Sequence, residues 1–294
     1  MAKTAPRRFA PLKETPGQQQ SHLPKLQGII FDVDGTLCLP QNYMFAQMRA
    51  VLSIPRTTDI LAHIVGLPTA AERETAMEAI RSIEREAMAA QVPQPGLRAL
   101  MTYLQSQGIR KGICTRNFEQ PVTHLLSKFL ADVDFAPIVT RAFTPPKPDP
   151  AGLLFIARSW GLVAPAPTPS ITTPAVPAPK PGPVSGVQPD GVAAIPQPLT
   201  TITDGTAEMV GDASALIMVG DSIDDMTAGR RAGAGTVLLV NGDNAHLAEH
   251  PHTDLVIQSL DELVGVLEAG FVGREISDGE APVRMGTGAA TSSG

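Results

Sequence analysis

Residues 28–37, GIIFDVDGTL, place an apolar run directly before two aspartates and a glycine. The apolar run predicts a strand buried on both faces, as in a parallel sheet. Side chains two apart on a strand point the same way, so Asp32 and Asp34 project together at its carboxyl end, where open α/β sheets bind ligands. Gly35 then lets the chain turn away. Because Asp and Gly are also common turn residues, other strand ends must support a site here.

Apolar, strand-like runs alternate with helical patterns along most of the chain, which is typical of a parallel sheet covered by helices. The predicted strands are 26–31, 110–114, 215–219, 236–240 and 255–257. The predicted helices lie near 97–107, 119–130, 151–160, 224–232 and 259–269. Between 41 and 93 the pattern is wholly helical, and Thr69 and Glu72 are spaced as a capping box. We therefore expect an α/β core with a helical module, residues 41–93, inserted after the first strand.

Three segments without hydrophobic periodicity are predicted to be disordered: residues 1–24, 163–213 and 272–294. The middle segment holds eleven of the 28 prolines between Pro165 and Pro198. Proline at this density is incompatible with a helix or a central strand, so a polyproline-II-like surface insertion is expected. Such an insertion suggests a partner that binds proline-rich motifs.

The rest of the chain is assigned to the core, residues 25–40 and 94–271. The net charge of the whole chain, -6, gives no sign of a basic stripe, which argues against a nucleic-acid partner. No apolar run reaches the roughly eighteen residues of a membrane span, so no membrane contact is expected. Cys38 and Cys114 cannot form a disulfide framework and fit a reducing compartment. The cytoplasm is the expected location, with the nucleus left open and mitochondria less favoured.

Two further strand ends carry groups suited to an anion. The second core strand is followed by Thr115, Arg116 and Asn117, where a hydroxyl and the first N–H groups of a helix could face a phosphate. In residues 144–150, TPPKPDP, prolines flank Lys147 and stiffen its backbone, which helps to aim one ammonium group. If each segment is considered alone, Thr115 could simply cap a helix and Lys147 could be an ordinary surface lysine.

The strand at 215–219 leads into GDSIDD, residues 220–225, which again places carboxylates after a glycine. A second Val-Gly-Asp ends at Asp212, but no apolar strand precedes it, and we treat Asp212 as unrelated to the site. Asp224 is interpreted as an acid that favours the helix N-terminus.

Three histidines, His246, His250 and His252, crowd one short segment. A metal site with ligands four residues apart requires a helix, and Pro251 interrupts one. A polar loop before the last core strand is therefore favoured over a metal site.

In their order along the chain, DVDGT at 32–36, CTRN at 114–117, KPDP at 147–150 and GDSIDD at 220–225 resemble the four motifs of haloacid dehalogenase (HAD) superfamily hydrolases. The resemblance covers about residues 26–269 apart from the insertion. It implies a Rossmann-like parallel sheet with a small all-helical cap. The helical module is similar to the C1-type cap of the phosphoglycolate phosphatase and phosphomutase branch.

The resemblance also implies a mechanism. Asp32 would attack phosphorus to form an aspartyl-phosphate, and Asp34 would protonate the leaving oxygen and then activate water, roles that carboxylates can fill. Each charge on a phosphate about 4 Å from a carboxylate costs roughly 4 kcal/mol at an effective dielectric near 20, so cations must enter the site. The Asp32 side chain, the Asp34 carbonyl oxygen and the Asp221 side chain are the ligands expected for Mg2+.

The remaining motif positions are expected to assist this chemistry. Phosphate contacts would come from Thr115, Arg116 and Lys147. Supporting roles would fall to Gly35, Asn117, Ser222 and Asp225. Asp225 is expected to orient either Lys147 or a metal-bound water.

These expectations describe a Mg2+-dependent phosphatase that hydrolyses a small phosphorylated metabolite such as phosphoglycolate, a sugar phosphate or a nucleotide. Asp34 favours phosphoryl transfer, because the dehalogenases of the superfamily lack this second aspartate. Two alternatives stay open. One is a phosphomutase, and the other is a non-catalytic binding or regulatory protein that acts through the proline-rich insertion.

Overall fold

The computed structural model describes residues 3–4, 6–13, 21–166, 209–274 and 276–277. Its strands are β1 (Lys3–Thr4), β2 (Gly28–Phe31), β3 (Arg110–Cys114), β4 (Ile138–Val139), β5 (Val163–Pro165), β6 (Met209–Gly211), β7 (Leu216–Gly220), β8 (Gly235–Leu239), β9 (Leu255–Ile257) and β10 (Ile276–Ser277). Its helices are α1 (Tyr43–Val51), α2 (Ile60–Val65), α3 (Ala70–Ala89), α4 (Leu97–Ser106), α5 (Glu119–Phe129), α6 (Ala151–Ser159), α7 (Ile223–Ala232) and α8 (Glu262–Ala269). A 3-10 helix spans Ala245–Glu249.

Six strands form one parallel sheet in the order β4-β3-β2-β7-β8-β9. β2 lies near its centre, with β3 on one side and β7 on the other. The chain therefore leaves β2 towards one edge and later returns to build the other half. Ligands in open α/β sheets bind where the strand order reverses in this way, at the carboxyl ends of the strands. The predicted Rossmann-like α/β fold is confirmed.

Helices cover both faces of the sheet and make three layers. On one face, α4, α5 and α8 pack through leucines such as Leu100, Leu125 and Leu263 against β2 and β7. On the other face, α6 and α7 pack through Ile156 and Ala228. Every residue of β2, β7 and β8 is buried, as the uninterrupted apolar runs predicted.

The helical module contains α1, α2 and α3 and follows β2 in the chain. It has a small apolar cluster of its own, built on Met48, Ile64 and Ile80. The capping box predicted at the start of α3 is present. The two linkers that join the module to the core lie side by side, and the N–H of Leu39 donates to the carbonyl of Val92 at 2.9 Å. Among the described residues, no helix combines the length and apolar character that a membrane crossing requires.

The N-terminal segment contradicts part of the predicted disorder over residues 1–24. Phe9 is buried, and its ring lies 5.6 Å from that of Phe271. The N–H of Leu12 donates to Leu267 on α8 at 2.9 Å. A single aromatic residue has no periodicity to reveal it, although its burial is favourable by about 1.5–3 kcal/mol. Residues 1–2, 5 and 14–20 lie outside the described part of the chain.

The predicted disorder of the C-terminal residues 272–294 is also wrong at its start, because residues 272 and 276–277 are paired with the N-terminal segment. Val272 forms an isolated antiparallel bridge with Arg8. Farther on, β10 pairs with β1 in an antiparallel two-stranded sheet. Pairing with a segment more than 260 positions away leaves no local sequence signal. Residues 278–294 lie outside the described residues.

The predicted insertion at 163–213 is too wide at both ends. β5 and β6 pair antiparallel, with Pro165 opposite Met209. Gly211 packs so closely on the backbone of Leu154 in α6 that a Cβ there would overlap it, which explains a glycine in this strand. The hairpin follows the carboxyl end of α6 and precedes β7, so it lies at the amino edge of the sheet. Residues 167–208 lie outside the described residues.

Candidate active site

The turn after β2 brings Asp32 and Asp34 to the carboxyl edge of the sheet. The carbonyl of Val33 accepts the N–H groups of Thr36, Leu37 and Cys38, which folds the motif into a compact turn. Gly35 has a φ of 74°, which side chains rarely adopt, and a Cβ there would overlap the carboxylate of Asp221. Glycine is therefore needed here for both its conformation and its size.

Lys147 lies between two carboxylates. Its Nζ donates to Asp32 Oδ1 at 2.8 Å and also to Asp225 Oδ1. The lysine side chain is only 3% exposed. Burial alone would lower the pKa of Lys147, but Asp225 and Asp32 raise it above its ordinary value. The ammonium is therefore held in its charged form beside Asp32.

Three carboxylates, those of Asp32, Asp221 and Asp225, have oxygens that all lie within 4.8 Å of one another. Burial raises the pKa of Asp32 to about 6, although the charge of Lys147 acts in the opposite direction. Burial also raises the pKa of Asp221 to about 7, and repulsion from Asp225 and Asp32 adds to this shift. One lysine thus faces three acids, and a further cation would relieve the remaining repulsion.

The chemistry of these donors fits a hard divalent cation. Carboxylate oxygens are the ligands that Mg2+ prefers. Asp225 has little capacity left for a metal, because Oδ1 binds Lys147 and Oδ2 accepts from the hydroxyl of Ser222 at 2.6 Å. Asp32 and Asp221 are therefore the side chains of this cluster with most capacity left for a cation. Asp225 contacts Lys147 directly.

The sequence Gly-Asp-Ser-Ile-Asp-Asp builds this part of the site locally. Ser222 and Asp225 form a capping box at the start of α7, in which the N–H of Asp225 donates to Ser222 Oγ at 3.3 Å. A Cβ on Gly220 would overlap the side chain of Asp225. The cap that begins the helix therefore also aims the Asp225 carboxylate at Lys147.

The segment after β3 contributes a hydroxyl and a guanidinium. Thr115 is buried, and its Oγ1 accepts the N–H of Asn117 at 3.2 Å. Arg116 is 58% exposed and forms a 2.6 Å ion pair with Asp224. The sequence interpretation of Asp224 as a helix N-terminal acid missed this contact, which joins the segment after β3 to the first turn of α7. Arg116 therefore lies at the exposed rim of the site, with its guanidinium directed to Asp224.

Asp34 has a partner that the motif did not indicate. Its Oδ1 accepts from the thiol of Cys38 at 3.5 Å. Burial, together with the negative charge of Asp34, raises the pKa of Cys38, so the thiol stays protonated and can donate.

Two asparagines near Asp221 were also missed. Asn241 Nδ2 donates to Asp221 Oδ2 at 3.2 Å, and Asn244 Nδ2 donates to the Asp221 carbonyl at 2.7 Å. Both follow β8, whose apolar run was predicted. The same rule that selected the other strand ends could have selected this one.

Asp212 and the histidines lie apart from these groups. Asp212 precedes β7, at the opposite end from Asp221, and its Oδ1 accepts the N–H of Ser214 at 2.8 Å. His252 is buried, and its Nδ1 lies 2.9 Å from the hydroxyl of Thr227. Within the described residues, the cluster suited to a metal contains no histidine.

Comparisons with known proteins agree with this fold. The chain matches the family of haloacid dehalogenase-like hydrolases over residues 26–168 and a related HAD-hydrolase-like family over 196–263. It is 36% identical to an uncharacterized hydrolase of Saccharomyces cerevisiae over 249 residues, which are 84% of this chain and 91% of the yeast protein.

Solved structures share the fold at low sequence identity. A predicted phosphoglycolate phosphatase from Haemophilus somnus matches with a TM-score of 0.55 and 15% identity, over 82% of this chain and 97% of that one. A variant of CbbY from Rhodobacter sphaeroides, in complex with xylulose 1,5-bisphosphate, matches with a TM-score of 0.54 and 16% identity, over 81% and 96%. These structures support the fold alone, whereas the family matches and the yeast relative show that the chain belongs to the haloacid dehalogenase-like hydrolases.

Proposed function

We propose that the protein is a Mg2+-dependent phosphatase that hydrolyses a small phosphomonoester through an aspartyl-phosphate. The observation that carries the proposal is the position of Asp32, whose side chain is only 12% exposed and contacts Lys147 within the carboxylate cluster. A lone buried carboxylate would be costly, whereas a paired one is a competent nucleophile.

The reaction is proposed in two steps. An oxygen of Asp32 attacks phosphorus, the bond to the leaving oxygen breaks, and Asp34 gives that oxygen its proton. Water then attacks the aspartyl-phosphate, Asp34 takes a proton from the water, and phosphate and free Asp32 are regenerated. One acid/base group serves both steps because the first step leaves Asp34 deprotonated, as the second requires, and the second step returns its proton. The Cys38 thiol, bonded to Asp34 Oδ1, holds that carboxylate beside the turn.

The charge of the phosphate must be balanced during both steps. Lys147 brings a fixed positive charge to Asp32, and the Thr115 hydroxyl lies at the next strand end. Mg2+ would be held by the side chains of Asp32 and Asp221 and by the carbonyl oxygen of Asp34, and would neutralise phosphoryl oxygens. Arg116, at the exposed rim, is proposed to contact the substrate phosphate from the solvent side.

Phosphatase activity is favoured over mutase activity as the simpler outcome, since hydrolysis needs only water. The helical module is proposed to close over the carboxyl edge of the sheet and to select the leaving group. From sequence composition, we also propose that the proline-rich insertion is bound by a partner that recognises such motifs. A cytoplasmic location is proposed on the same grounds.

The test is release of inorganic phosphate from a panel of phosphorylated metabolites, with Mg2+ and with EDTA. Asp32→Asn should lower kcat by on the order of 10³-fold or more, because it removes the nucleophile without changing its size. Asp212→Asn is the matched control, since Asp212 follows the same Val-Gly pair at the other end of the sheet. Activity that persists in Asp32→Asn, or that is indifferent to EDTA, would overturn the proposal. Appearance of an isomeric sugar phosphate instead of free phosphate would indicate a mutase.

A further inference from the structure

We propose that Asn241 is a positioning residue that fixes the carboxylate of Asp221 for cation binding. The inference rests on the proposed function, because Asp221 is there a metal ligand. Asn241 follows β8 and begins a short loop that ends at Asn244. Nothing in the four motifs points to this loop, and its role follows from hydrogen bonds alone.

The orientation of the Asn241 amide is fixed by its own loop. Its Oδ1 accepts the backbone N–H of Asp243 at 2.9 Å and that of Asn244 at 3.2 Å. Backbone N–H groups only donate, so the oxygen of the amide must face them. The Nδ2 end is then turned towards Asp221, whose Oδ2 lies 3.2 Å away. The loop thus determines that Asp221 meets a donor at this point.

The loop is itself anchored to the core of the site. Asn244 is only 6% exposed. Its Nδ2 donates to the carbonyls of Asp221, at 2.7 Å, and Leu239, at 3.0 Å, while its Oδ1 accepts the N–H of Asn241 at 2.7 Å. One buried side chain therefore joins the loop to β8 and to the segment after β7. Asn244 therefore fixes the position of the Asn241 backbone with respect to the backbone of Asp221.

Asp221 needs such a partner because its neighbours repel or crowd it. Asp32 and Asp225 lie within the same carboxylate cluster, and the backbone of Gly35 packs against the carboxylate. A donor on Oδ2 occupies that oxygen and leaves Oδ1 free to face a cation. Partners of metal ligands commonly act in this way, and their loss weakens metal binding about 10- to 100-fold.

The experiment compares Asn241→Ser and Asn241→Ala with the intact full-length protein. Serine keeps a short acceptor for the loop N–H groups but loses the amide donor to Asp221, so it separates the two functions of Asn241. Asp243→Ala is the control, since Asp243 is exposed and its side chain is not part of the contact with Asp221. The Mg2+ dissociation constant is measured by isothermal titration calorimetry, and unfolding temperature is measured in EDTA and in Mg2+.

Both Asn241 variants should bind Mg2+ about 10- to 100-fold more weakly, and Asp243→Ala should bind like the unaltered protein. At saturating Mg2+, kcat of Asn241→Ser should return close to its original value, because Asn241 is proposed to act only through Asp221. The unfolding temperature of Asn241→Ser in EDTA should match that of Asp243→Ala.

Asp221→Asn separates this inference from the function on which it rests. Loss of Mg2+ binding in Asp221→Asn with unchanged binding in Asn241→Ser would overturn only the role of Asn241. Unchanged binding in Asp221→Asn would overturn the proposed metal site and this inference with it.

Discussion

Gly35 shows how one missing side chain permits the site. The carboxylate of Asp221 occupies the space where a Cβ would stand, and the φ of 74° is unfavourable for any other residue. Asp221 directly follows β7, which lies far from Gly35 in the sequence. The first motif and the last therefore fit together at this one backbone position.

Replacing Gly35 by alanine should displace Asp221 and abolish Mg2+-dependent phosphate release. The cost of the left-handed conformation, about 1–2 kcal/mol, adds to the overlap with the carboxylate. Gly108→Ala is the control, because Gly108 has a φ of 64° but no atom within 4 Å of a Cβ. In urea unfolding, both variants should have a lower free energy of unfolding than the unaltered protein. Phosphate release should be lost in Gly35→Ala and retained in Gly108→Ala. Equal effects of the two variants would contradict the argument.

Asp221 also gives the metal-free protein a characteristic pH dependence. Its pKa is raised from 3.8 to about 7, so the folded state holds a proton that the unfolded state has already lost. The folded state binds more protons in this interval, and stability therefore falls as the pH rises from about 4 to about 7.

The difference between Asp221→Asn and the unaltered protein isolates this contribution. In EDTA, the unfolding temperature of Asp221→Asn relative to the unaltered protein should rise steadily between pH 4 and pH 7, since the amide has no charge to bury. Scanning calorimetry at several pH values measures it. A difference that is flat with pH would show that the carboxylate is not perturbed by its surroundings.

At the scale of elements, β5 and β6 pair at the two ends of the long proline-rich segment, so the core is closed on either side of it. Pro165 and Met209 lie opposite each other, so a short turn could join them in place of residues 167–208. The hairpin lies at the amino edge of the sheet, away from Asp32 and Asp221.

Replacing residues 167–208 by an Asn-Gly turn should leave kcat and Mg2+ affinity unchanged and should raise the unfolding free energy by up to about 2 kcal/mol, because a shorter loop costs less entropy to close. Phosphate release and urea unfolding measure both effects. Loss of activity in a folded variant would show that the segment contributes to the site. Retained activity with loss of proteins captured by the full chain would support a partner-binding insertion.

The strongest local patterns predicted their elements well. β2, β7 and β8 are continuous apolar runs, and α3 begins at the capping box that its sequence indicated. β4 was missed because two residues have no measurable period. β1 and β10 depend on each other across the whole chain, and neither is strand-like alone.

At the scale of the whole molecule, the site arises from the order of the strands. β2 stands between β3 and β7, so the residues that follow these three strands meet at one edge of the sheet. The sequence could predict this convergence because each contributing motif ends an apolar strand or lies beside one. Lys147 beside Asp32 follows from the same topology.

The sequence did not predict which side chains of the site contact one another. Asn241 with Asp221, and Arg116 with Asp224, join segments that no spacing rule relates. Cys38 is close to Asp34 in sequence, but a cysteine four positions after an aspartate is unremarkable until the turn is known. Side-chain direction, not residue type, was the missing information.

The same strand order means that the chemistry is shared between two pieces of chain. Asp32 and Lys147 precede the β5–β6 hairpin, whereas Asp221 and Asp225 follow it. Cleavage of the chain between β5 and β6 would yield two fragments, each with half of the ionic cluster. Each fragment would expose one strand of the β2–β7 pair as an unpaired edge. If the proposed function holds, neither fragment should turn over substrate by itself, and recombining the two fragments should restore activity. The architecture thus offers a natural point for a split reporter, in which a small-molecule reaction signals that two fused proteins have met.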